Sequence, residues 1–255
     1  MYLWKSWHDS RHRIVLYAGA CMAIGAMIGL DVFGWYIRDV AWIAASTNPR
    51  IKLLNPSPWA WSLGMSAQTE FMLPIVIWAA LALGATSAGR EYGSGAMAFV
   101  LTRPQSRWRI VWGDWLLGVS EICIILSMLT MGMTPFLFLT SRIYVGFNGA
   151  LIPGALAVGA CLYGLTQFLT MLTGSSMKGT SAAVASILFY LFLPSALDDW
   201  WHIKWPQKVV DLSLSVFEEE WYRLQLPSWG VTILWAMLAL IFPLLSQWLI
   251  ERREV

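Results

Sequence analysis

Charge is scarce in this sequence. Only 13% of its 255 residues are Asp, Glu, Lys or Arg, against about 25% in an ordinary soluble domain, while 58% are hydrophobic and 17 are tryptophan. With a mean hydropathy of +0.59, a soluble fold is excluded. A length that could make one or two soluble domains is filled instead by apolar spans and their connections, forming a single membrane domain. Cysteine is scarce too. Cys21, Cys123 and Cys161 each sit inside an apolar run, so no disulfide framework follows and they read as small packing residues. The three histidines, His8, His12 and His202, lie outside the apolar runs, which removes His-based metal sites and Ser/His dyads at membrane depth. His8 and His12, one helical turn apart, suit a headgroup-facing pair. No G-x-x-x-x-G-K-[ST] phosphate loop occurs, since Lys178-Gly179 follows Gly174 at the wrong spacing. Without that backbone cradle the chain is not expected to hydrolyse ATP. It is expected to hold no catalytic residue, no cofactor and no metal. The net charge of +2 is scattered over span flanks and does not point to nucleic acid. There is no internal repeat and no low-complexity tract.

What is present are apolar runs of spanning length, about 17–25 residues. They predict an all-α integral membrane protein of six transmembrane helices, at about 14–30, 71–88, 115–139, 150–173, 180–197 and 229–250. Residues 1–13 read as an interfacial helix, with Leu3, Trp4 and Trp7 opposite Lys5, Asp9, Arg11 and Arg13. No convincing A-x-A site follows the first span, so cleavage as a signal peptide is rejected. Cys21, Gly25 and Gly29 give that span a small-residue face for close helix approach. Residues 31–70 form an external segment that opens with an amphipathic piece, 35–45. It becomes irregular around Asn48-Pro49 and Asn55-Pro56-Ser57-Pro58, and Trp59 and Trp61 suit an interfacial belt. Pro74 falls near the outer end of the second span. Residues 140–149 separate the third and fourth spans, and 174–179 make a tight turn into the fifth. A second external segment, 198–228, is rich in acid and tryptophan, and its middle, 209–217, suits either a short helix or an extended run. Lys5, Arg11, Arg13, Arg90, Arg103, Arg107, Arg109, Lys178, Arg252 and Arg253 then gather on one side. The other seven of the 17 Lys and Arg lie opposite with nine of the 15 acids, Asp31, Asp39, Glu70, Asp198, Asp199, Asp211, Glu218, Glu219 and Glu220, a modest bias by which both termini are expected in the cytoplasm.

Between the second and third spans lies the basic loop 89–114. Gly95 to Leu101 can make two helical turns with Ala96, Met97, Val100 and Leu101 on one apolar face. Pro104 cannot continue that helix and biases Arg103 out of it. The residues Glu91-x-x-x-Gly95-Ala96, then Leu101-Thr102-Arg103-Pro104-Gln105-Ser106-Arg107, then Gly113 resemble the loop after the second span of permease subunits of type-2 ATP-binding-cassette exporters. That pattern reads E-x-x-x-G-T, a leucine-rich turn, P-V-S-R and G-K. Ala96, Gln105 and Asp114 depart from it, and the motif covers about a tenth of the chain. The resemblance implies a cytoplasmic coupling helix, with Arg90, Glu91, Gly95, Ala96, Met97, Val100, Leu101, Pro104, Ser106 and Arg107 facing a separate ATPase subunit that brings ATP and magnesium. It also implies a second permease chain, identical or not, a bacterial inner membrane, and short helices between the fifth and sixth spans that dip into the outer leaflet. The plainer alternative is an ordinary basic loop ended by proline.

Two further features could carry a pathway. Glu121, one to two turns into the third span, either reaches the interface or a loop arginine, or links the loop to the pathway. Asp31 and Asp114 stand at span ends, where charge is cheap. In the fourth span Tyr163, Thr166, Gln167, Thr170 and Thr173 fall on one side at i, i+3, i+4, i+7 and i+10. Such a stripe either bonds to a neighbouring helix or lines a path for a hydrophobic or amphiphilic cargo such as an antibiotic, peptide or lipid-like compound. The alternatives from other classes are a stand-alone immunity or sensor protein without an ATPase, and a secondary transporter. The second is disfavoured by the missing repeat and the few midplane charges.

Overall fold

The computed structural model describes residues 2–46, 72–86, 107–140, 143–201, 203–214 and 229–252, which are helical apart from short turns and ends. The helices are α1 (Tyr2–Ala45), α2 (Met72–Ala85), α3 (Arg107–Thr140), α4 (Ile143–Thr173), α5 (Ser176–Trp201), α6 (Trp205–Leu214) and α7 (Trp229–Arg252). Within α1, α3, α4, α5 and α7 lie five stretches long and apolar enough to cross a membrane. The chain is therefore a multi-pass membrane protein, all-helical among the described residues. Met72–Ala85 is apolar but shorter. At 1.5 Å per residue it covers about 21 Å, less than the roughly 30 Å hydrocarbon core.

Several helices run beyond the expected span limits. The interfacial helix 1–13, the first span and the amphipathic piece 35–45 are one continuous α1 of 44 residues. The expected limit at Asp31 is not a break, because a single exposed carboxylate leaves the backbone ladder intact. No proline occurs before Pro49, and isolated glycines weaken a helix without ending it. Helix α3 begins ahead of the expected start of the third span at 115. Residues 107–114, expected as part of the coupling loop, are the first turns of α3. They are held there because Ile110 and Val111 are buried against Met171 of α4 and Leu249 and Ile250 of α7. Residues 143–149, expected as a connection, already belong to α4. The turn expected over 174–179 is confined to Gly174 and Ser175. Gly174 adopts φ +64°, the left-handed helix end that glycine accepts without a Cβ penalty. Asp198, Asp199 and Trp200, expected outside the fifth span, continue α5. The first part of the ambiguous 209–217 stretch is helical, as the end of α6. Pro135, Pro153, Pro194 and Pro243 all lie inside helices.

α3 and α4 form the centre. α1 packs on α3, α7 on α4 and more lightly on α3, and α5 on α4, with α6 against α5. Val76 and Ala80 of α2 share the main core with Ile122 and Leu126 of α3 and Ala155 of α4. The small-residue face of α1 meets α3 at backbone distance. A Cβ at Gly25 would collide with the Leu129 carbonyl, one at Gly29 would stand 2.8 Å from Phe136, and one at Gly132 would collide with the Met22 carbonyl. Arg38 stacks over Trp35 at 4.4 Å and Arg252 over Trp248 at 4.2 Å, a pairing suited to helix ends where charge meets an aromatic belt.

Candidate functional site

α3 and α4 run antiparallel, and the polar stripe of α4 turns inward onto the first turns of α3. Tyr163 and Gln167, one turn apart on α4, both reach Asp114, which is only 4% exposed. The Tyr163 hydroxyl donates to Asp114 Oδ2 at 3.2 Å and to its carbonyl at 3.3 Å. The Gln167 side-chain amide donates to the same Oδ2 at 3.0 Å and to the Val111 carbonyl at 3.5 Å. Beside them the Trp115 indole donates to the Ala160 carbonyl at 3.4 Å. Gly118, one turn beyond Asp114, makes room for this. Any Cβ there would fall into the Tyr163 ring. A buried carboxylate is costly unless hydrogen-bonded, and here two donors from one neighbouring helix converge on one oxygen.

The threonines of the stripe behave differently. Thr166, Thr170 and Thr173 donate to carbonyls of their own helix, at Leu162 (2.8 Å), Thr166 (2.7 Å) and Leu169 (2.9 Å). With their hydrogens engaged there, Thr166 and Thr170 serve as surfaces of close contact. A Cβ at Gly84 of α2 would stand 2.7 Å from Thr166, and one at Gly179 of α5 would collide with the Thr170 backbone. The Ser176 hydroxyl donates to the Ala85 carbonyl at 2.5 Å and fastens the start of α5 to the end of α2. Tyr163, Thr166, Gln167 and Thr170 are thus buried against α2, α3 and α5, whereas Thr173 is exposed at the helix end.

Glu121 lies two turns beyond Asp114 on the same side of α3 and is 3% exposed. Because α3 begins at Arg107, Glu121 is about 21 Å along the helix. Asp114, expected at a span end, is likewise inside the bundle. The sequence did carry a signal for both, since Asp114, Gly118 and Glu121 recur at i, i+4 and i+7. A second link joins α3 to α7. The Trp112 indole donates to Gln247 Oε1 at 3.3 Å, and the Gln247 amide donates to Glu251 at 2.9 Å. Trp108, Trp112 and Trp115 form a ladder with ring centroids 6.1 and 5.8 Å apart. The first turns of α3 are therefore tied to α4 on one side and α7 on the other.

Arg90, Glu91, Gly95, Ala96, Met97, Val100, Leu101, Pro104 and Ser106 lie outside the described residues. Arg107 is the first residue of α3. Among the described residues no group of three or more His, Cys, Asp or Glu could hold a metal ion. Residues 53–255 match the model of a family described as "Protein of unknown function (DUF2705)". No curated protein matches the chain.

Proposed function

The chain belongs to the DUF2705 family, whose function is unknown, and we propose from its own residues that it is the membrane-spanning subunit of an ATP-binding-cassette exporter. The observation that carries this reading is the continuity between the Glu91–Arg107 motif and α3, the helix whose first turns are bonded to both α4 and α7. A separate ATPase subunit, carrying ATP and magnesium, docks on the helix formed by Gly95 to Leu101. By the sequence, Pro104 is expected to stop that helix before α3. Motion of the loop then reaches α3, and the Asp114–Tyr163–Gln167 bonds carry it into α4. In a bilayer no water replaces such bonds, so the two helices move together. The chain itself catalyses nothing. It pairs with a second permease chain, identical or not, and the path between the two exports a hydrophobic or amphiphilic compound. The charge distribution of the sequence supports both termini in the cytoplasm, and the resemblance of the loop supports a bacterial inner membrane.

Glu91 is the residue that tests coupling apart from assembly. It sits where the second apolar run ends, within reach in sequence of Arg90, Arg103 and Arg107. Exposed ion pairs of that kind are worth about 1 kcal/mol or less, so Glu91→Ala leaves the complex intact while cargo-stimulated ATP hydrolysis in lipid falls. Unchanged stimulation would remove Glu91 from the coupling path.

A further inference from the structure

Two polar groups stand apart from the hydrogen bonds of the bundle. Gln167 Oε1 of α4 and Ser246 Oγ of α7 belong to wholly buried residues, and neither finds a hydrogen-bond partner among the described residues. In a bilayer no water compensates such a group. The two are complementary, since an amide oxygen only accepts and a hydroxyl can donate. They also lie at one height. A Cβ at Gly164 of α4 would stand 3.0 Å from Cβ of Phe242 on α7, and two turns further on Met171 packs with Leu249 and Ile250. α4 and α7 therefore run side by side in the same direction, with the same rise along each helix. Gln167 comes three residues after Gly164, and Ser246 comes four after Phe242. Val111 of α3 belongs to the same cluster and accepts from the Gln167 amide at 3.5 Å. Gln167 thus stands on the side of α4 where α3 and α7 converge.

Other serines of this bundle use their hydroxyls. Ser120, Ser127 and Ser186 each donate to a carbonyl three or four residues back in their own helix, at 2.7, 2.7 and 2.8 Å. Ser246 does not, and it follows a proline by three residues. Pro243 has no N–H, so it leaves the Ala239 carbonyl without its helical donor and loosens α7 at that point. Beyond it, residues 244–252 form an arm of about two and a half turns. The arm is held to α3 by the Trp112–Gln247 bond, long at 3.3 Å, and by the packing of Leu249 and Ile250. We infer that this arm has a second seating, closer to α4, in which Ser246 donates to Gln167 Oε1. Pro243 is its hinge. Gln247 is the next residue and turns with Ser246, so the arm exchanges its hold on Trp112 for one on Gln167. The two seatings belong to the fold and stand whether or not the chain is a transporter.

The test uses the full chain in phospholipid nanodiscs, in a cysteine-free background. Nitroxide labels are attached at Arg252→Cys, on the exposed end of the arm, and at Met177→Cys, at the exposed start of α5. Double electron–electron resonance then reads the distance between them in frozen samples, where both seatings are trapped. Two distance populations should appear. Ser246→Ala should shrink one of them relative to the other by about threefold, the ratio set by an average interhelical hydrogen bond in a membrane. Gln247→Leu, which removes the hold on Trp112, should shift the ratio the opposite way. Both substitutions are conservative in size, and each serves if the other fails to insert. A single population in the labelled chain, as a fixed water bridge between the two groups would give, overturns the second seating. So does a ratio that neither substitution moves, or that both move in the same direction.

Discussion

A carboxylate between two helices is held by the groups that donate to it, and two hydrogen bonds to Asp114 come from α4. Each hydrogen bond to a charged group is worth about 1.5–3 kcal/mol in water-soluble proteins, and interhelical bonds in membranes average nearer 0.6. Tyr163→Phe and Gln167→Leu should therefore each destabilise the bundle by about 1 kcal/mol in a denaturant titration in lipid. Their effects should not add, because both act on one oxygen, and a double-mutant cycle should show a coupling of at least about 0.5 kcal/mol. Strict additivity would mean that the two donors do not share Asp114. Thr170→Val is the control, since its hydroxyl bonds within its own helix, and it should be nearly silent. The stripe was legible in the sequence because polar residues at helical spacing are conspicuous in an apolar run. What it faces was not. A span judged by hydropathy begins where charge stops, which placed Asp114 at the edge instead of inside.

Helices as elements were legible and their ends were not. Hydropathy marks where a helix meets lipid, whereas the backbone ladder continues into polar residues until a proline, a glycine in the left-handed region or lost packing stops it. Hence α3 reaches back to Arg107 and α5 forward to Trp201. The small-residue face on α1 was visible as Cys21, Gly25 and Gly29, and its partner is the Leu129–Phe136 stretch of α3. Glycines on α1 separate two effects. Gly25→Val drives a side chain onto the Leu129 carbonyl and should part α1 from α3, with a large loss of thermal stability. Gly19→Ala and Gly34→Ala meet nothing within 4 Å. Each should be neutral or stabilising by up to about 1 kcal/mol, the helix-propensity difference. Equal tolerance of all three in a melting experiment would refute the close crossing.

At the scale of the whole molecule, the membrane class followed from composition, and the long apolar helices bear it out. Orientation rests on charge. Single-cysteine labelling in a cysteine-free background should place Ser106 and Arg253 inside and Asn55 and Glu219 outside, and labelling of Ser106 from the outside would reverse the layout. The transport reading rests on the loop between α2 and α3, where a few residues at fixed spacing carry more than the rest of the chain. Composition could not supply it, because a docking surface is defined by its partner. If Gly95 to Leu101 docks on an ATPase, Met97 and Leu101 supply apolar contact worth about 1.5–3 kcal/mol each, so a charge at either should weaken binding by at least about tenfold. The most direct measurement is affinity purification of the tagged chain from its native membrane, followed by identification of any ATP-binding-cassette ATPase that comes with it. Such an ATPase should accompany the unaltered chain and be lost with Met97→Asp or Leu101→Asp, although both variants still insert. Its absence from the unaltered complex, or its full recovery with both variants, would contradict docking through this loop.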